Sequence, residues 1–263
     1  GWGQTGPLAS SAGHSLNYEA ITGVIRSVGP AGGPPVPVMQ LLGDFAGGGL
    51  HLAYGVVCAL WHAERSGQGQ VVDAGMVDGV MSLAGVFYGM SASGMHSETM
   101  GGNLFDGGAP FYSVYETSDG KYVSVAPIEP HFYALLLDKI GLDPADLPGQ
   151  WDQAQWPVTK ARFAEVFRTK TRDEWCELLE NTDACFAPIL TFTEATQHGQ
   201  TARAFVDPDA ASPEVKPMPR LSATPGTTRP SPRYVGADTD EVLTEAGFSG
   251  DDVRELRASG AIA

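Results

Sequence analysis

Leu16, Ile21, Val24 and Ile25 fall on one helical stripe, which predicts a helix over residues 15–28 opened by Ser15, directly after Gly13 and His14. Residues 30–37 are rich in Gly and Pro and predict an extended connection. A long apolar run over residues 45–61 predicts a mostly buried helix, with Asp44 as its N-cap and Gly67 and Gly69 at its end. VVDAGMVDGVMSLAGVFYGM starts strand-like and continues as a second apolar helix. After Met90 the period changes from helical to alternating. FYSVYET and KYVSVAPI read as two strands joined by a Ser-Asp-Gly turn, followed by a helix from near Glu129. Helical stretches near 160–168 and 172–180 lead to the strand-like FAPIL. A Pro-rich, extended return over 205–236 then precedes helices in TDEVLTEAGF and DDVRELRASG.

This order predicts an α/β protein in three segments. Residues 1–85 form part of a large domain, 86–204 a linker and a smaller inserted α+β domain, and 205–263 a return to the large domain. The opening GWGQTGPLAS is a Gly/Pro turn with no element ahead of it. It reads as entry into the middle of a fold, so an N-terminal part of the large domain is expected outside this chain. At 263 residues there is enough chain for real cores.

Composition narrows the function. Hydrophobic content of 43% and charged content of 18% fit an ordinary globular protein, and a net charge of −15 argues against nucleic acid or an anionic membrane as partner. A local basic pocket for an anionic small molecule remains compatible with that total. No stretch is read as long enough to span a membrane, so no membrane insertion is expected. Cys58, Cys176 and Cys185 form no CxxC pair. Cys58, inside an apolar run, is expected to be buried and reduced, which fits a cytoplasmic protein.

His14, Asp44 and Glu129 each stand at the start of an expected helix. The free N–H groups and partial positive charge there favour a neutral imidazole and an ionised carboxylate, which gives two bases and nearby donors for an oxyanion. Each residue also has a plain structural explanation: Asp44 as a cap, Glu129 as a first-turn acid, His14 as a surface polar group. Spacing alone does not choose between them. No HExxH, GK[ST] or GxSxG setting is present, so neither a metal nor a separate cofactor is expected. Methionines 76, 81, 90, 95 and 100 read first as core filling and second as an adaptable apolar track for an acyl chain.

Taken together, GWGQTGP, GHSLNY, LLGDFAGGG, SGQGQVVDAGMVDG and NLFDGGAPFYSVYETSDGKYVSVAPIEPHFY resemble the family III CoA-transferases, in particular their α-methylacyl-CoA racemase branch. The resemblance implies a Rossmann-like large domain, a smaller α+β domain and two subunits interlocked as a homodimer. It implies an acyl-CoA substrate in fatty acid metabolism, with CoA as part of that substrate. His14 and Asp44 would face opposite sides of C2 and interconvert 2R- and 2S-2-methylacyl-CoA by two-base proton transfer through an enolate. Glu129 would partner His14, meeting it only in the dimer. Gly13, Ser15, Tyr18, Gln40, Leu42 and Gly43 would line the thioester end of the pocket, and amides at the helix starts after His14 and Asp44 would hold the enolate oxygen. Two positions depart from the pattern. Ser15 replaces an acidic residue next to the base, and Gln40 replaces an asparagine. A CoA-transferase with Asp44 as acyl-anhydride nucleophile, and a non-catalytic CoA-thioester binding module, are the alternatives.

Overall fold

The computed structural model describes residues 1–228 and 234–262. Its backbone separates into two units, Gly1–Ile189 and Leu190–Ala263, a different and coarser division from the three segments read from sequence. The fold is mixed α/β.

In the first unit, helix α1 covers only Ser15–Ala20. Gly23, at φ +79°, breaks the helix expected to reach residue 28, and one tight turn follows at Ile25–Ser27. The buried stripe is also not the expected one. Leu16 and Ile21 are 44% and 59% exposed, while Ser15, Tyr18, Glu19 and Thr22 point inward with Ile25. The inner face of α1 is polar because it bonds to the start of the next helix.

That helix, α2, runs Leu41–Ser66, with its first ten residues, Leu41–Leu50, wound as a wide π-type segment that continues as α-helix from His51. Phe45 N–H accordingly reaches back five residues to the Gln40 carbonyl at 3.2 Å. Gln40 is the N-cap residue, so Asp44 lies within the helix and does not cap it. By length and composition alone α2 could cross a membrane, contrary to the sequence reading. Its glycine face, however, is packed inside the protein. A Cβ on Gly47 would stand 2.9 Å from Val80, and one on Gly79 would stand 1.9 Å from the Gly47 carbonyl oxygen. Glycines at 47 and 79 thus let α2 touch the backbone of α3, Met76–Leu83. The second half of α2, His51–Ser66, contains no buried residue, so Cys58 is exposed and not buried as expected. The stretch VVDAG before α3 forms no strand; a strand needs a partner, and none of the described residues pairs with it. After Ala84 a separate helix, α4, covers Gly85–Ala92.

Strands β1 (Ser113–Glu116) and β2 (Tyr122–Val125) form the expected hairpin, and β3 (Phe186–Ile189) joins β2 to complete an antiparallel sheet of order β1-β2-β3. Ser113 faces Val125, which in turn faces Phe186. Gly120 takes φ +72° in the hairpin turn, where the Thr117 hydroxyl donates to Asp119 at 2.6 Å. Helix α5, Pro130–Ile140, starts at Glu129 with Pro in its first position. Helices α6 (Trp156–Phe167) and α7 (Arg172–Leu179) follow, the latter opened by a Thr171/Glu174 capping box. The largest apolar core lies here: Phe111, Tyr115, Leu136, Phe163, Phe167 and Trp175 are all essentially buried. Each such side chain contributes roughly 1.5–3 kcal/mol by leaving water.

The second unit holds α8 (Phe192–Gln197), α9 (Gly199–Ala202), α10 (Thr239–Glu245) and α11 (Gly250–Ala258). An Arg257–Asp240 ion pair at 2.8 Å joins the last two. The Pro-rich return expected over 205–236 falls partly on residues 229–233, outside the described residues. Its described part up to residue 228 contains no helix.

Candidate active site

α1 and α2 meet through two hydrogen bonds, organised by a third within α1. Ser15 Oγ donates to Glu19 Oε1 at 2.8 Å, one helical turn apart. The same Glu19 oxygen accepts the Gly43 N–H at 2.8 Å, and Ser15 Oγ accepts the Asp44 N–H at 3.2 Å. Gly43 keeps this seam tight: a Cβ there would stand 2.3 Å from Ser15 Oγ and 2.6 Å from Glu19 Oε1, so both side chains would have to move.

His14 and Asp44 are therefore carried to one place. His14 precedes Ser15 in extended backbone (φ −131°, ψ 172°), its N–H donating to Asn17 Oδ1 at 3.0 Å and its carbonyl accepting the Asn17 N–H at 2.8 Å. These local bonds fix its backbone independently of Glu19. His14 is exposed and Asp44 half-buried, so both side chains are within reach of a ligand.

The other sequence-derived positions divide. Ser15 and Tyr18 are buried, and their hydroxyls are committed inside the protein, that of Tyr18 to the Gly13 carbonyl at 2.5 Å. Tyr18 also meets Trp2 edge-to-face at 4.6 Å. Gly13 permits this, since a Cβ on it would stand 2.9 Å from either ring. Gln40 is exposed, Leu42 half-buried and Gly43 buried. The amides after Asp44 expected to receive an oxyanion begin with Phe45, whose N–H is instead bonded to the Gln40 carbonyl. The Gly43 and Asp44 N–H groups before it are bonded to Glu19 and Ser15. At α1 the Ser15 and Leu16 N–H groups have no acceptor among the described residues.

Glu129 lies elsewhere, exposed at the start of α5. None of the ion pairs among the described residues joins it to His14. It stands near Cys185, whose thiol is pushed up by burial and further by the Glu129 charge. A cavity of about 300 Å³, walled by Thr22, Phe87, Tyr88, His96 and Phe105 among others, contains none of the three residues.

Sequence reasoning missed Glu19. The signal was an acid four residues after Ser15 in a segment otherwise read as apolar, a spacing that puts both on one face.

The mixed α/β fold, with histidine and aspartate brought together at the meeting of two helix starts, accompanies a match of residues 1–239 to CoA-transferase family III, and the chain belongs to that family. Within known proteins it is 43% identical over 263 residues to α-methylacyl-CoA racemase of Mus musculus and 39% identical over 262 residues to that of Homo sapiens. Each match covers 98% of this chain and 68% of the relative. Among solved structures it resembles a CAIB/BAIF family protein from Brucella suis. The TM-score is 0.73 at 22% identity, covering 93% of this chain and 66% of that one, a likeness of fold. The chain thus spans about two thirds of the length of the proteins it matches.

Proposed function

We propose that the chain provides the reacting groups of an α-methylacyl-CoA racemase, an isomerase that interconverts 2R- and 2S-2-methylacyl-CoA. The observation that carries the reading is the 43% identity to such a racemase over 98% of the chain. The Ser15–Asp44 bond supports the choice of bases, because it ties the residue after His14 to Asp44 itself.

The thioester carbonyl acidifies the C2 proton. One base removes it, leaving a planar enolate, and the conjugate acid on the opposite face returns a proton to C2. His14 serves one face and Asp44 the other. The enolate oxygen takes hydrogen bonds from the Ser15 and Leu16 N–H groups at the start of α1. Gln40, Leu42 and Gly13 lie on the approach to the thioester. CoA enters as part of the substrate and no further cofactor takes part.

The exposed apolar residues of α2, among them Leu50, Tyr54, Val57, Leu60 and Trp61, suit an interface. We assign them to an interlocked homodimer in which the α+β segment of one subunit, bearing Glu129, completes the His14 side of the other. The large domain in this reading is Rossmann-like, and the segment 86–204 is its insertion.

Incubation of the intact protein with 2R-2-methyldecanoyl-CoA, followed by chiral analysis, tests this reading. The expected product is an equilibrium mixture of both C2 configurations without loss of CoA to an added carboxylate. Trapping of an Asp44 acyl adduct by hydroxylamine, with no change at C2, would establish the transferase chemistry instead.

A further inference from the structure

We propose that Glu19 and Ser15 form a positioning relay that sets the backbone of Asp44, and that Glu19 is therefore a positioning residue for one of the two proton transfers. The proposal rests on the racemase reading and goes beyond its pair of bases.

Glu19 is 0% exposed, and no Lys, Arg or His pairs with it among the described residues. A carboxylate in that setting is costly to bury unless its bonds are needed. Its Oε1 takes two donors, the Gly43 N–H and the Ser15 hydroxyl, and that hydroxyl takes the Asp44 N–H. Two successive amides at the start of α2 are thus held by one two-residue device on α1. Ordinary capping would come from the residue before the helix, but Gln40 makes no side-chain cap bond. Ser15 holds the peptide that enters Asp44, and Glu19 the one before it. The peptide that leaves Asp44 is held within α2 by the Phe45 N–H on the Gln40 carbonyl. The relay thus sets the backbone leading into Asp44, and with it the direction of the Cα–Cβ bond.

His14 does not depend on this device. Its backbone is fixed by Asn17 and by its own helix. The relay therefore acts on one face of the reaction only, which separates it from a bolt that merely holds α1 against α2.

The two faces can be read separately in the intact protein. In a His14→Ala background only Asp44 removes a proton, so deuterium uptake at C2 by the enantiomer of 2-methyldecanoyl-CoA facing Asp44 reports that base. In an Asp44→Asn background the other enantiomer reports His14. Glu19→Leu should lower Asp44-side exchange roughly 10- to 100-fold, chiefly in kcat, because small displacements of a reacting group cost that much. His14-side exchange should stay within about twofold. Ser15→Ala, a smaller change that leaves the Glu19–Gly43 bond, should lower Asp44-side exchange by roughly threefold to tenfold. Ser15→Asp combined with Glu19→Leu, which moves the carboxylate one turn back, should recover most of the loss. Asn17→Ala should show the mirror image, with loss on the His14 side. Equal losses on both faces, or no loss with either Glu19→Leu or Ser15→Ala, would overturn the relay. Absence of exchange by the unsubstituted protein with both enantiomers would instead overturn the racemase reading beneath it.

Discussion

Ser15 and Asp44, 29 residues apart in sequence, are joined by one hydrogen bond of 3.2 Å from the Asp44 N–H to the Ser15 hydroxyl oxygen. One residue back from Ser15 is the exposed His14; one residue back from Asp44 is a glycine on which a Cβ would displace the Ser15 and Glu19 side chains. The start of α1 and the start of α2 are thereby a single piece of architecture, with an imidazole and a carboxylate at its edge. His14→Ala and Asp44→Ala should each cut interconversion of the 2R and 2S thioesters by roughly 10²–10⁴-fold. Thermal melting should change little, since neither side chain is buried. A chiral assay beside a melting curve checks both halves of the expectation.

The contact between Gly47 and Gly79 sets the spacing of α2 and α3. A Cβ on Gly79 would stand 1.9 Å from a backbone oxygen, which has no rotamer to move to. Gly79→Ala should therefore destabilise by about 1–3 kcal/mol or more and shift α2 together with Asp44. Gly89→Ala, on α4 with open space around it, is the control. Removing a helix-interior glycine there should stabilise by up to about 1 kcal/mol. Denaturant titration of the two variants separates the cases.

Asp119 in the β1–β2 turn is held below its ordinary 3.8, first by the Thr117 hydroxyl and also by the Arg172 backbone N–H. A depressed carboxylate stabilises fully above its unfolded value and loses that contribution as the pH falls through the folded one. Asp119→Asn should lower the melting temperature slightly at pH 7, and the gap to the unsubstituted protein should close below pH 3.8. The effect is small because the group is solvated.

Cys176 on α7 has its thiol pushed up to about 11 by burial and by the charges of Glu180 and Asp173. Alkylation by iodoacetamide at pH 8 should leave it slower than a free thiol, with a rate that climbs steadily as the pH approaches that value. Mass spectrometry of the peptide carrying it gives the measurement.

Much of the α+β part was legible in sequence. FYSVYET, the Ser-Asp-Gly turn and KYVSVAPI carry their instructions locally, and β1 and β2 lie within those stretches. Glu129 before Pro130 likewise announced the start of α5. The first helices were harder for a definite reason. A stripe of Leu16, Ile21, Val24 and Ile25 points inward only if the interior of the seam is apolar. Here the interior is Ser15 and Glu19, bonded to another helix 24 residues or more away. The same tertiary bonds cap α2, so its start needs no capping side chain, and Asp44, the only cap-like residue in view, was placed one turn too early in its helix. VVDAG reads as a strand in isolation and has no strand beside it. The resemblance singled out His14 and Asp44; the bonds between the segments that carry them run through Ser15 and Glu19, and Glu19 is a residue no motif names.

The most direct measurement follows C2 itself. Each pure enantiomer of 2-methyldecanoyl-CoA is incubated with the intact protein in deuterated water, and configuration and deuterium content are read together. Inversion from either starting enantiomer, with one solvent deuterium at C2 of the inverted product, is the result predicted for two bases on opposite faces. Inverted product that keeps its original protium, or no inversion in a protein that binds the thioester, would contradict it.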